Sequence, residues 1–160
     1  MKIPFSIVVC SLMIGLLVGC GGSDPSSALV AANDTNLKRL ANLYAAYQSR
    51  NDWRGPASEE EFKSFLKNWN PQKLANLGVD PAGIDDLFVS TRDNEPFKVR
   101  YGVPGNSMGS DAPVIFEATG VSGSRRVGFL NMTQRDVDEA EYTELWEGKG
   151  DSTKPAQRAS

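Results

Sequence analysis

The sequence predicts an α+β domain in which N-terminal helices pack on a small three-stranded antiparallel meander and a C-terminal helix closes the fold. Three observations predict it. Residues 35–76 place apolar side chains at helical spacing between recognisable caps. Residues 97–130 hold three short β-rich runs separated by turn formers, and residues 133–147 return to a helical, acidic pattern. Helices, then strands, then a helix is the α+β order, because strands that alternated with helices would instead build a parallel sheet.

The elements are justified in chain order. Lys2 and the apolar run 3–18 end in Leu17-Val18-Gly19-Cys20. The run is shorter than the ~20 residues of a spanning helix and contains Pro4 and Gly15, so it reads as a targeting segment rather than an anchor. Gly21-Gly22-Ser23-Asp24-Pro25-Ser26-Ser27 has the composition of a flexible tether. Asn33 or Asp34 can cap a helix over 35–50, whose stripe is Leu37, Leu40, Ala41, Tyr44 and Tyr47 or Gln48. Ser58 and Glu61 have capping-box spacing before Phe62, Phe65, Leu66 and Trp69. Asn70-Pro71 opens a short third helix, with Leu74 and Leu77 inward and Gly78 as its stop. Leu87-Phe88-Val89 is a short apolar element between turns. The strands are expected at 97–103, 114–118 and 126–130, the last two joined by a loop over 119–125. Thr133 caps a final acidic helix that stops at Gly148 and docks through Val137, Ala140, Leu145 and Tyr142 or Trp146.

The chain therefore divides into a signal peptide (1–19), a tether (20–33), one globular domain (34–148) and a disordered tail (149–160). Its 160 residues are 40% hydrophobic and 23% charged, an ordinary globular composition. Cleavage before Cys20 removes 19 residues and leaves 141, enough for a sizeable core. It also removes Lys2 and takes the formal charge from −3 to −4. That balance gives no long-range attraction to nucleic acid or to anionic lipid. There is no histidine, so the commonest general base and zinc ligand are missing. Cys10 leaves with the signal peptide and Cys20 is the lipidation residue, so the mature chain has neither a free thiol nor a disulfide.

Two resemblances follow from these residues. Leu17-Val18-Gly19-Cys20 resembles the lipobox of bacterial lipoproteins. That implies a lipid, palmitate among its acyl chains, on Cys20 and a membrane-anchored place in the cell envelope facing the periplasm or the exterior. Asn36-Leu37-Lys38-Arg39-Leu40-Ala41 through Tyr47 resembles the first soluble helix of pilin-like proteins and type II secretion pseudopilins. Thr91-Arg92-Asp93-Asn94-Glu95-Pro96-Phe97-Lys98-Val99-Arg100-Tyr101 is similar to a later stretch of that family, and Arg125-Arg126-Val127-Gly128-Phe129-Leu130-Asn131-Met132 to its late strand. The resemblance implies a pilin-like domain. Cys20 stands where that family carries the glutamate that helps fibre assembly, and the apolar helix used for polymerising would be cut away.

The chemistry-bearing candidates are few. Gly105-Asn106-Ser107-Met108-Gly109 has the nucleophile-elbow pattern, but no histidine can serve as base and no helix follows; Lys98 would be the nearest partner for a Ser–Lys dyad. Asp85, Asp86 and Asp93, among the acids flanking the first strand, are weak candidates for a hard cation such as calcium, which takes several converging oxygens. The pseudopilin resemblance adds that some members hold calcium near the C-terminal sheet. Carboxylates at 136, 138, 139, 141, 144 and 147 read as a solvated helix face. Arg125 and Arg126 with Lys98 and Arg100 could form a small basic patch, too sparse for nucleic acid. The expected function is a non-enzymatic binding or assembly module at a membrane surface, with a protein partner in the envelope and no cofactor. The alternatives are a small-ligand-binding lipoprotein and a histidine-independent hydrolase.

Overall fold

A computed structural model describes residues 34–106 and 110–149. The expectations for Cys20, the leader, the tether, Ser107 and the residues beyond 149 lie outside the described residues. The domain is mixed helix and sheet: α1 (Asn36–Gln48), α2 (Glu59–Lys67), α3 (Pro71–Asn76), two 3-10 turns (Pro81–Gly83 and Asp86–Phe88), β1 (Lys98–Val99), β2 (Pro113–Phe116), β3 (Arg125–Phe129), β4 (Gln134–Val137) and α4 (Glu139–Trp146).

Each helix begins where a short polar side chain can satisfy its first free N–H groups. Thr35, one residue after the expected cap, accepts from the Lys38 N–H at 3.2 Å. Ser58 caps α2, and Asn70 caps α3 with Pro71 in its first turn. Glu61 returns to the Ala57 N–H at 2.7 Å and also accepts from the Tyr47 hydroxyl, which ties the start of α2 to the end of α1. Burial, with the Glu61 carboxylate beside it, pushes the Tyr47 hydroxyl up to about 12.

The sheet corrects the expected three strands to four. Its order is β1-β2-β3-β4, antiparallel throughout. The fourth strand is cut from the segment expected to begin the last helix. Thr133 caps no helix; it sits in the β3–β4 hairpin, where its N–H and hydroxyl both donate to Asn131 Oδ1. Asp138 is the true cap, accepting from the Glu141 N–H at 2.9 Å. The first strand is also shorter than expected. Gly102 turns at φ +69°, and beyond it the Val103 N–H donates to the Tyr44 hydroxyl, so the chain leaves the ladder.

The sheet is covered on both faces. α1 lies on one face, burying Leu37, Leu40, Ala41, Leu43 and Tyr44 with Val99, Val114 and Ile115. α4 lies on the other, where Phe116, Val127, Phe129, Val137, Tyr142 and Leu145 form a second cluster. Phe116 meets Tyr142 and Trp146 edge-on at 5.4 and 5.1 Å. The docking residues expected for the last helix are thus partly right: Tyr142 and Leu145 are buried, Ala140 is exposed.

α1 packs against β3 at Gly128. A Cβ there would stand 2.5 Å from Leu37 Cδ2. Gly128→Ala is therefore expected to cost about 1–3 kcal/mol through overpacking. Urea unfolding measures it, and Gly128→Ala combined with Leu37→Val should be less than additive because the two side chains share the space.

Candidate functional site

Two features stand out on this scaffold. The first is an ion-pair network at the N-terminal end of α1, on the α1 face of the sheet. Glu117 follows β2 and is 2% exposed. Its Oε1 accepts from the Ser90 hydroxyl at 3.2 Å and its Oε2 from the Arg126 N–H at 2.8 Å. Arg92 Nη2 lies 3.0 Å from the same Oε2. The Arg92 guanidinium also reaches Asp136 Oδ1 at 2.9 Å and the Ser124 carbonyl at 2.8 Å. Arg126 closes the ring on Asp136 with two bonds of 3.1 Å. The Arg126 guanidinium holds the Asp136 carboxyl below the usual range, against a smaller opposing effect of burial.

This arrangement binds the turn 90–96 to β2, β3 and β4. Ser90 is the one hydroxyl bonded to a buried carboxylate among the described residues, and it is itself 2% exposed. Ser90 and Glu117 border a hollow of about 20 Å³, room for no more than a water. The network is an internal brace.

The second feature is a pair of clefts either side of α4. On the β3–β4 side, a cleft of about 480 Å³ is lined by Asp111, Phe129, Asn131, Gln134, Arg135 and Leu145, with Thr133 at its hairpin end. On the β1 side, one of about 430 Å³ runs along residues 99–104 to Trp146. Both lie within the range of about 300–1,000 Å³ common for small-molecule sites. Trp146 is 40% exposed at the edge of the second. At the hairpin, Met132 is 51% exposed with φ +65°, a conformation that costs a non-glycine residue about 1 kcal/mol or more.

The residues singled out from sequence are scattered through this frame. Asp85 is paired with Lys63 at 2.8 Å and Lys67 at 3.9 Å, and Lys63 holds its carboxyl below the usual range. Asp86 borders a separate hollow with Asp80 and Asn36. Asp93 accepts from the N–H groups of Gly120 at 2.7 Å and Glu95 at 3.2 Å. Burial acts to raise the Asp93 carboxyl, but these N–H donors and Ser90 outweigh it and hold it low. The three are engaged in different places, and among the described residues no group of three or more His, Cys, Asp or Glu side chains converges.

The arginines of the basic patch are engaged within the fold. Arg125 pairs with Glu139, Arg126 with Asp136, and Arg100 Nη1 donates to the Pro113 and Leu145 carbonyls. The same pairs, with Arg135–Glu141 at 2.9 Å, break up the carboxylate row of the final segment. Lys98 is exposed on β1. Sequence reasoning missed the Glu117 brace, although an acid inside the apolar run Val114-Ile115-Phe116-Glu117-Ala118 was its visible signal.

No protein-family model, no curated protein and no solved structure matches this chain.

Proposed function

We propose that this chain is a lipid-anchored protein of the bacterial cell envelope whose domain binds a partner or ligand without catalysing a reaction. The observation that carries the reading is Leu17-Val18-Gly19-Cys20, which stands shortly before the described domain begins at Asp34. Cleavage before Cys20 would leave residues 20–33 as the link between an acyl anchor and the folded part. Among the described residues no helix is long and apolar enough to cross a membrane. Anchoring would then rest on the lipid.

A pilin-like arrangement is the finer part of the proposal. It is supported by the Leu37/Leu40/Tyr44 stripe lying against an antiparallel sheet, as the resemblance requires. α4 covers the sheet face opposite α1, so assembly through a bare sheet is not part of the reading. The contact surfaces that favour binding are the clefts beside α4. These also favour the small-ligand alternative over a hydrolase, since Ser90 and Glu117 border a hollow of only about 20 Å³.

The test is Cys20→Ser. Pulse labelling with radioactive palmitate and fractionation of cells should show an unlabelled precursor with its leader retained. A variant that is still processed and still labelled would refute the anchor.

A further inference from the structure

We propose that the hollow between the first turn of α1 and the turn 90–96 is a binding site for a single water molecule. The water sits between Arg92 Nε and the Glu117 carboxylate and is a working member of the brace. The inference stands apart from the anchored-module reading and survives its failure.

Size and lining give the first argument. The hollow measures about 20 Å³ and is bordered by Thr35, Asn36, Ser90, Arg92, Glu117 and Arg126, with Leu37 and Phe97 beside them. One water needs roughly 10–15 Å³ of such space, so the hollow takes one and not two. Its walls are mostly polar, and polar hollows fill with water where apolar ones of the same size stay dry.

An orphaned donor gives the second. The two terminal nitrogens of Arg92 are spent: Nη1 donates to Asp136 at 2.9 Å, and Nη2 meets the Ser124 carbonyl at 2.8 Å and Glu117 Oε2 at 3.0 Å. Arg92 Nε is shielded from solvent and has no hydrogen-bond partner among the described residues. A buried N–H on a charged group is costly to leave unpaired, so it calls for an acceptor.

An acceptor with a spare lone pair borders the same hollow. Glu117 Oε2 takes two donors, the Arg126 N–H at 2.8 Å and Arg92 Nη2 at 3.0 Å. Oε1 takes only the Ser90 hydroxyl, at 3.2 Å. A carboxylate oxygen has about two lone-pair sites, so Oε1 keeps one. Water serves both ends: its oxygen accepts from Arg92 Nε and one of its hydrogens goes to Glu117 Oε1. A bare cation would stand against the guanidiniums of Arg92 and Arg126, and an anion against the Glu117 carboxylate, so charge disfavours both. The carboxylate is then held by four donors, and the turn 90–96 is joined to the end of β2 by a water bridge as well as by direct bonds. Release of that water requires the turn to lift, so its residence is long.

The test has two arms on the Cys20→Ser chain from residue 20 onward. A crystal structure of that chain should show one ordered water within about 3.2 Å of both Arg92 Nε and Glu117 Oε1. Oxygen-17 magnetic relaxation dispersion should then count one long-lived water fewer in the double variant Glu117→Leu with Arg92→Met, which removes donor, acceptor and both charges. An empty hollow in a crystal structure that shows other buried waters would overturn the site. An unchanged count in the folded double variant would overturn the assignment to Arg92 and Glu117. The crystal structure decides the matter on the native side chains even where the variant fails to fold. Palmitate labelling of Cys20 is untouched by either result.

Discussion

Phe62→Ala is expected to destabilise the domain by about 3–5 kcal/mol, the range for removing a large side chain from a well-packed core. Phe62 is fully buried. Its ring meets Tyr44 at 5.6 Å, Tyr47 at 6.2 Å and Phe88 at 5.7 Å, each edge-to-face. It therefore joins α1, α2 and the second 3-10 turn. Each such aromatic pair adds about 0.5–1.5 kcal/mol beyond the area it buries. The cavity left by alanine would be walled by rings fixed elsewhere. Tyr44 donates to the Arg100 carbonyl at 2.9 Å and Tyr47 to Glu61, so neither can swing in to fill it. Urea unfolding followed by tryptophan fluorescence measures the loss. Phe62→Leu should lose less than half as much, because it keeps most of the volume. A loss below about 1 kcal/mol for alanine would mean that the site collapses and that Phe62 is not the junction described.

The contrast between what sequence made legible and what it hid follows the same physics. The α1 stripe could be read because a helix half-buried on a sheet must repeat its apolar residues at three and four. Leu37, Leu40, Ala41, Tyr44 and Tyr47 do so and are all buried. The caps Ser58 and Asn70 could be read because their side chains act on N–H groups two or three residues away. β4 could not. An edge strand carries polar and charged residues that discourage pairing with other chains, and Gln134, Arg135 and Asp136 leave only Val137 to signal a strand. Its hairpin turns through Met132 instead of a glycine, so the usual turn signal is absent too. The long first strand was lost for a tertiary reason: Gly102 donates to the Pro56 carbonyl and Val103 to Tyr44, partners that no local pattern announces.

The brace around Glu117 was hidden for a related reason, and it gives the second large effect. Glu117→Ala is expected to cost about 3 kcal/mol, at the lower end of what breaking one side of a buried ion pair costs. The lower end applies because Arg92 is 26% exposed and retains Asp136. The loss has two parts. The Ser90 hydroxyl and the Arg126 N–H lose a buried acceptor, and the Arg92 guanidinium loses the carboxylate that offsets its desolvation. Removing the charge on both sides should therefore restore stability: Glu117→Leu with Arg92→Met should be more stable than Glu117→Leu alone, since a packed apolar pair needs no compensation. The coupling energy of that double-mutant cycle, read from urea unfolding of four proteins, is the measurement. A coupling near zero would show that Glu117 is held by its N–H and hydroxyl donors alone. Raised salt should change the coupling little, because the carboxylate is sealed from solvent, whereas the exposed Arg135–Glu141 pair should weaken. A salt-insensitive coupling places the strength of the brace in its buried half.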